Sequence, residues 1–189
     1  MRQCRLFGSR FGVSYYPHNS ISPLDGRYSK SVASLNPFFS EAALMKYRVK
    51  IEAEWLLHLL HRNIIKQKSG KNLEKLEGEL TKLWENFDDA SALRIKTIEK
   101  STNHDLKSVE YFIKENITVY PTFIHFCCTS EDINNLAYSL MLSDAMKKVI
   151  VPSIQEIHSD LVDKSYEWAD DAMLARTHGQ PASPTTIGK

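Results

Sequence analysis

From Ser40 onward, the apolar positions of the chain fall at helical spacing. Leu44, Tyr47, Ile51, Trp55 and Leu59 recur every three or four residues, which puts them on one face of a helix whose first free N–H groups Ser40 can cap. That face predicts a helix turned toward a core. The polar run KQKSGKN, from Lys66 to Asn72, reads as a turn. Beyond it Leu73, Leu76, Leu80, Leu83, Trp84 and Phe87 make a second apolar stripe.

Two later segments share a start signal. Thr102-Asn103-His104-Asp105 and Thr129-Ser130-Glu131-Asp132 both fit a capping box, in which hydroxyl and carboxylate satisfy free backbone N–H groups. The first predicts a helix carrying Leu106, Val109 and Ile113. The second predicts a much longer one, in which Ile133, Leu136, Leu140, Ala145, Val149, Ile150, Ile154, Ile157 and Leu161 continue the pattern. Pro152 lies inside it, and its missing N–H predicts a kink or short break. A helix of about 35 residues reaches about 50 Å at a rise of about 1.5 Å per residue. It needs neighbours along its length, so a bundle or an oligomer is expected.

Ser183-Pro184 has the N-cap and N1 pairing that opens a helix, yet Lys189 follows after little more than one turn. A helix that short is not stable alone, so the expectation is a chain cut from a longer one. Strand signals are sparse. The expected fold class is mainly α. Residues 20–128 are expected to form an N-terminal helical domain, residues 129–189 to begin a long-helix bundle domain, and residues 1–19 to form an extension.

Composition narrows the function classes. Hydrophobic residues make up 42% and charged residues 25%, the balance of an ordinary globular protein. No apolar run approaches the roughly 18 residues of a membrane span. The net charge of +1 gives no reason to expect nucleic acid or an anionic membrane as a partner, although a local cluster could still hold a small anion. Cys4, Cys127 and Cys128 are odd in number and lack C-x-x-C spacing, against a disulfide framework or a zinc site. Neither a metal nor an organic cofactor is indicated. A reducing, cytoplasmic setting fits. Arg2, Arg5 and Arg10, with no acidic residue before Asp25, leave an organelle-targeting segment as the alternative.

Three stretches are polar where a structural chain has no need of it. In Asp25-Gly26-Arg27-Tyr28 the glycine allows a sharp turn that could aim a guanidinium and a phenol at a phosphate, or the stretch is a turn with an exposed arginine. The helix starts at Thr102 and Thr129 offer unpaired N–H groups and the positive end of a macrodipole to an anion, or they are simply capped helices whose own acidic residues already supply the charge. In Arg176-Thr177-His178-Gly179-Gln180-Pro181, read as a loop after the long helix, His178 can donate a proton near neutral pH, or it bonds to backbone.

Together these segments resemble the adenylosuccinate lyases of the fumarase and aspartase superfamily. The matching stretches, in the family's order, are Ser22 to Tyr28 (SPLDGRY), Arg94 to Glu99 (RIKTIE), Thr102 to Asp105 with Lys107 and Val109 to Phe112, Thr129 to Leu136 (TSEDINNL) and Arg176 to Ala182 (RTHGQPA). The resemblance implies a truncated fumarase/aspartase-like fold and β-elimination of fumarate from adenylosuccinate or its ribotide counterpart in purine synthesis. It implies His178 as proton donor, and Arg27, Tyr28, Asn103, His104, Asp105, Thr129 and Ser130 as substrate-binding residues, with a small-molecule nucleotide as substrate and a homotetramer as the full-length assembly. It also places the catalytic base, a serine in a mobile loop, downstream of this sequence, so these residues alone are expected to be inactive. Two alternatives are a non-catalytic helical module that binds full-length lyase subunits, and a different lyase of the superfamily.

Overall fold

The computed structural model describes residues 20–66 and 70–189, so the expected extension over residues 1–19 and the middle of the predicted turn lie outside the described residues. Two compact units divide the chain, the first ending at Leu142 and the second running from Ser143 to Lys189.

In the first unit, a 3-10 turn at Ala33–Leu35 leads into α1 (Asn36–Phe39), α2 (Glu41–His61), α3 (Gly70–Glu85), α4 (Asp89–Thr102) and α5 (Asp105–Asn116). A second 3-10 turn, Pro121–Phe123, precedes α6 (Ser130–Ala145). The predicted cap of α2 is present: Ser40 Oγ accepts from the Ala43 N–H at 3.1 Å. Val49, Leu56 and Leu60 of α2 are fully enclosed, together with Leu76 and Leu80 of α3, Val109 and Ile113 of α5 and Ala137 of α6. These side chains form one core. Ile51, Tyr47 and Leu59 are buried as expected, whereas Leu44 and Trp55 pack at its edge. Each Val, Leu or Ile side chain removed from water contributes about 1.5–3 kcal/mol, so this core dominates the stability of the first unit.

Two expectations for this unit are corrected. The helix after Thr102 is capped by His104: Thr102 is the last residue of α4, and Asn103, at φ 51° and ψ 33°, closes that helix in the left-handed region. Asparagine tolerates that conformation, so the chain ends one helix and starts the next within three residues. On α6 the inward face is Ile133, Ala137 and Met141, spaced by four, which leaves Leu136 at 54% exposure.

In the second unit, a π-helical turn, Met146–Ile150, precedes α7 (Val151–Glu167). Pro152 sits in the first turn of α7, where its missing N–H costs least, and the π turn is the expected interruption. No residue of α7 is buried; Ile154, Ile157 and Leu161 are 59%, 61% and 63% exposed.

The helix expected at Ser183-Pro184 is absent. Those residues belong to β2 (Gln180–Thr186), paired antiparallel with β1 (Ala172–Thr177), and Pro184 lies opposite Leu174. A two-stranded ribbon has only edge strands, so a proline can sit where no ladder donor is required. His178 and Gly179, at φ 52° and 75°, form the two-residue turn, a pair of left-handed residues suited to the twist of a hairpin. The end of β2 returns to the helix: the Gly188 N–H donates to Trp168 O and the Ile187 N–H to Asp171 O, each at 2.9 Å.

Candidate functional site

The start of α5 is built by three consecutive residues with three backbone conformations. Asn103 is left-handed and its N–H donates to Glu99 O at 2.8 Å. His104 is extended, and its Nδ1 accepts from the Lys107 N–H at 3.2 Å. The Thr102 hydroxyl donates to His104 O at 3.2 Å, which holds the junction closed. With Nδ1 accepting, a neutral ring carries its proton on Nε2, and this assignment rests on the bonding pattern. The half-exposed His104 therefore offers an Nε2–H donor beside the positive end of a helix. Asp105 Oδ1 stands 3.6 Å from the same Nδ1, beyond hydrogen-bonding distance.

Asp105 is engaged elsewhere. Its Oδ2 lies 2.7 Å from Arg48 Nη2, and Arg48 Nε donates to Asn134 Oδ1 at 2.9 Å. Partial burial pushes the Asp105 carboxyl up, but the Leu106 N–H and the Arg48 guanidinium outweigh it and hold the group below its ordinary value. Arg48 is 5% exposed. One buried side chain of α2 thus ties the start of α5 to Asn134, near the start of α6.

At the α6 start, the Thr129 N–H donates to Asp132 Oδ2 at 2.7 Å, the carboxylate half of the predicted box. Glu131 Oε1 accepts from Asn134 Nδ2 at 2.9 Å, so the Asn134 amide is bonded at both ends. Thr129 is exposed and Ser130 half-buried.

Near this start lies a glutamate–histidine pair whose glutamate is buried. Glu52, fully enclosed on α2, meets His125 Nδ1 at 2.6 Å through Oε1, and its Oε2 has no hydrogen-bond partner. Burial raises the Glu52 pKa despite the opposing bond and charge of His125. The nearby Cys128 thiol is pushed up to about 11 by burial and by the Glu52 and Asp132 charges, which leaves it a poor nucleophile.

Arg27 and Tyr28 are exposed, with the guanidinium carbon 5.6 Å from the phenol ring centroid. Their turn is held by the Tyr28 N–H on Pro23 O at 2.9 Å and the Ser29 N–H on Gly26 O at 3.2 Å. Gly26 stays out of the left-handed region, so the turn does not use the freedom expected of it. An open cleft of about 510 Å³ between α4 and α5 is lined by Thr97, Ser101, Thr102 and Tyr111 and by the Arg94–Glu115 ion pair. None of the eight predicted site residues lines it. In the second unit, His178 is exposed at the hairpin tip.

The predicted residues therefore fall into three groups: Arg27 with Tyr28; Asn103, His104 and Asp105 joined through Arg48 to the helix that begins beside Thr129 and Ser130; and His178 on its own unit. Residues 26–189 match the family described as Lyase.

The chain belongs to the lyase family.

Lyase-family relatives carry more specific names. The adenylosuccinate lyase of Legionella pneumophila (strain Corby) is 46% identical over 177 residues, which is 90% of this chain and 39% of that protein. That of Escherichia coli (strain K12) is 44% identical over 176 residues, 90% of this chain and 38% of that protein. A Dictyostelium discoideum adenylosuccinate lyase is 44% identical over 178 residues, with the same coverage of 90% and 38%. The chain thus spans 38–39% of the length of these relatives. Among solved structures, a fumarate lyase from Mesorhizobium sp. BNC1 superposes with a TM-score of 0.66 at 18% identity, covering 82% of this chain and 35% of that one. A β-carboxy-cis,cis-muconate cycloisomerase from Acinetobacter calcoaceticus sp. ADP1 gives 0.63 at 19% identity, covering 82% and 36%. The fold shared with these structures is mainly helical, as expected. No helix among the described residues is long and apolar enough to cross a membrane.

Sequence reasoning missed Arg48 and Glu52 in this lyase-family chain. Both were visible as charged residues four apart within an apolar helix face, at positions where a purely structural helix would carry hydrophobic residues.

Proposed function

We propose that this chain supplies the nucleotide- and succinyl-binding part of an adenylosuccinate lyase, a cytoplasmic homotetramer that releases fumarate from adenylosuccinate to leave AMP, and from the succinylated carboxamide ribotide of purine synthesis. Identity of 44–46% to adenylosuccinate lyases over 90% of the chain carries the reading. The site geometry supports it, because two helix starts suited to anions are tied together by one buried arginine.

In the elimination, a base removes the proton beside a succinyl carboxylate, the electron pair passes through the aci-carboxylate, and the C–N bond breaks. His178 donates the proton that the departing nitrogen takes up. Arg27 and Tyr28 hold the nucleotide, and Asn103, His104 and Asp105 line its pocket, with the His104 Nε2–H toward phosphate. Thr129 and Ser130 receive a succinyl carboxylate at the α6 start, and residues 129–189 open the helical bundle of the assembled enzyme. The chain spans 38–39% of the length of the adenylosuccinate lyases it matches, and on this reading the 189 residues alone are inert.

The test is fumarate release from adenylosuccinate by the full-length protein carrying this sequence. His178→Gln should lower kcat about 10²–10⁴-fold, the usual contribution of a positioned proton donor, with little change in KM. A wild-type full-length protein that does not cleave adenylosuccinate, or turnover by the 189-residue chain itself, would overturn the reading. A second reading, a helical module that docks on lyase subunits, is favoured by the exposed row Ile154, Ile157 and Leu161. Co-purification of the 189-residue chain with full-length subunits would support it.

A further inference from the structure

We infer that Arg48 is a positioning residue for the anion-binding end of α5: its two-armed grip on Asp105 and Asn134 registers the starts of α5 and α6 and keeps the Asp105 carboxylate off the His104 ring. The inference rests on the reading that His104 and Asp105 meet the substrate.

Arg48 is too enclosed to be a ligand itself. Its exposure is 5%, and it bonds through Nη2 to Asp105 at 2.7 Å and through Nε to Asn134 at 2.9 Å. A planar guanidinium offers donors in two fixed directions, which is what bridging two elements requires; an ammonium has no second arm of fixed geometry. Asn134 is in turn fixed by Glu131 of the first turn of α6, and Asp105 follows the residue that caps α5, so the grip acts near the start of both helices.

His104 Nδ1 has two candidate partners. The Lys107 N–H needs it as an acceptor, and the ring proton then sits on Nε2; a carboxylate brought into bonding range would need it as a donor. Asp105 is already at 3.6 Å and is held there by Arg48. Once released, the carboxylate swings to Nδ1, the proton moves to that nitrogen and the helix cap is broken. A neutral ring then no longer has an Nε2–H to offer a phosphate.

The experiment uses the full-length protein with [15N]histidine labelling, the His104 signal being assigned by its loss in His104→Asn. Two variants separate charge from geometry: Arg48→Gln removes the charge, and Arg48→Lys keeps it but loses the fork. The His104 ring should report an unprotonated Nδ1 in the wild type, a protonated Nδ1 in R48Q and a mixture in R48K. KM for adenylosuccinate should rise about 100-fold in R48Q and about tenfold in R48K, the scale expected when a binding group is misplaced by about 1 Å. A folded variant, either one, with the wild-type ring signal overturns the proposal. If R48Q does not fold, R48K decides. A full-length wild type that does not turn over adenylosuccinate sinks the functional reading alone, because the ring signal still reports on the Arg48 grip.

Discussion

Glu52 Oε1 lies 2.6 Å from His125 Nδ1, in a site where the glutamate is fully enclosed and its other oxygen is unpartnered. The pair joins the middle of α2 to the loop before α6 across 73 positions of sequence. Burial wins over the His125 bond and raises the carboxyl pKa, so the native state binds the proton more tightly than the unfolded chain does. The Glu52 contribution to stability is then fully present below the unfolded value of 4.5 and is lost as pH rises through the higher native value. Glu52→Gln keeps an acceptor for His125 and removes the titration. Urea midpoints measured from pH 4.5 upward should fall less steeply with pH in the variant than in the wild type. Parallel curves would refute the assignment.

Ser40→Ala should destabilise the first unit by about 1 kcal/mol, because the Ala43 N–H loses its side-chain acceptor. Ser40→Asp should restore most of the loss, since a carboxylate caps equally well and favours the positive helix end. Thermal unfolding of both variants checks the cap separately from the packing below it.

Leu80 is fully enclosed where α3 meets the core. Leu80→Ala should cost about 2–5 kcal/mol, transfer and cavity terms together, and Leu80→Met less than about 1.5 kcal/mol. Equal costs for the two would mean that the site can collapse around the smaller side chain.

A Cβ at Gly188 would stand 2.1 Å from Ser165 O, a backbone atom with nowhere to go. Gly188→Ala should therefore detach residues 187–188 from the segment that ends α7. Hydrogen exchange at the Ile187 and Gly188 amides, both bonded at 2.9 Å, should accelerate while the β1–β2 ladder keeps its protection. Unchanged exchange at both amides would show that the contact is not made in solution.

What was legible in the sequence depended on how far apart the partners lie. The α2 cap and the enclosed Leu76 and Leu80 followed from spacing within one or two turns, since period and capping are local. At Thr102 the box pattern was right about a helix boundary and wrong about the cap, because T-x-x-D specifies spacing and not which residue turns left-handed; Asn103 did so and passed the capping role to His104. Ser183-Pro184 read as a helix start for a similar reason: a serine before a proline also fits an edge strand, and only the paired positive φ values at His178 and Gly179 separate the two outcomes. The Arg48 grip was out of reach of any local rule, with Asn134 lying 86 positions away. The roles proposed for His104, Asp105 and His178 rest on family resemblance, and their local geometry adds the tautomer and the turn.

Tyr120, His125 and Cys127, at φ 61°, 65° and 60°, put three left-handed non-glycine residues into eight consecutive positions ahead of α6. Each such residue costs about 1–3 kcal/mol of backbone strain. Random change along this stretch should accordingly be one-sided. At Cys127, whose side chain is exposed, glycine or asparagine relieves strain with little packing to lose, so such replacements should accumulate. At Tyr120, which is buried, and at His125, which is bonded to Glu52, the same relief forfeits a contact, and those two positions should hold their identity across descendants of this chain.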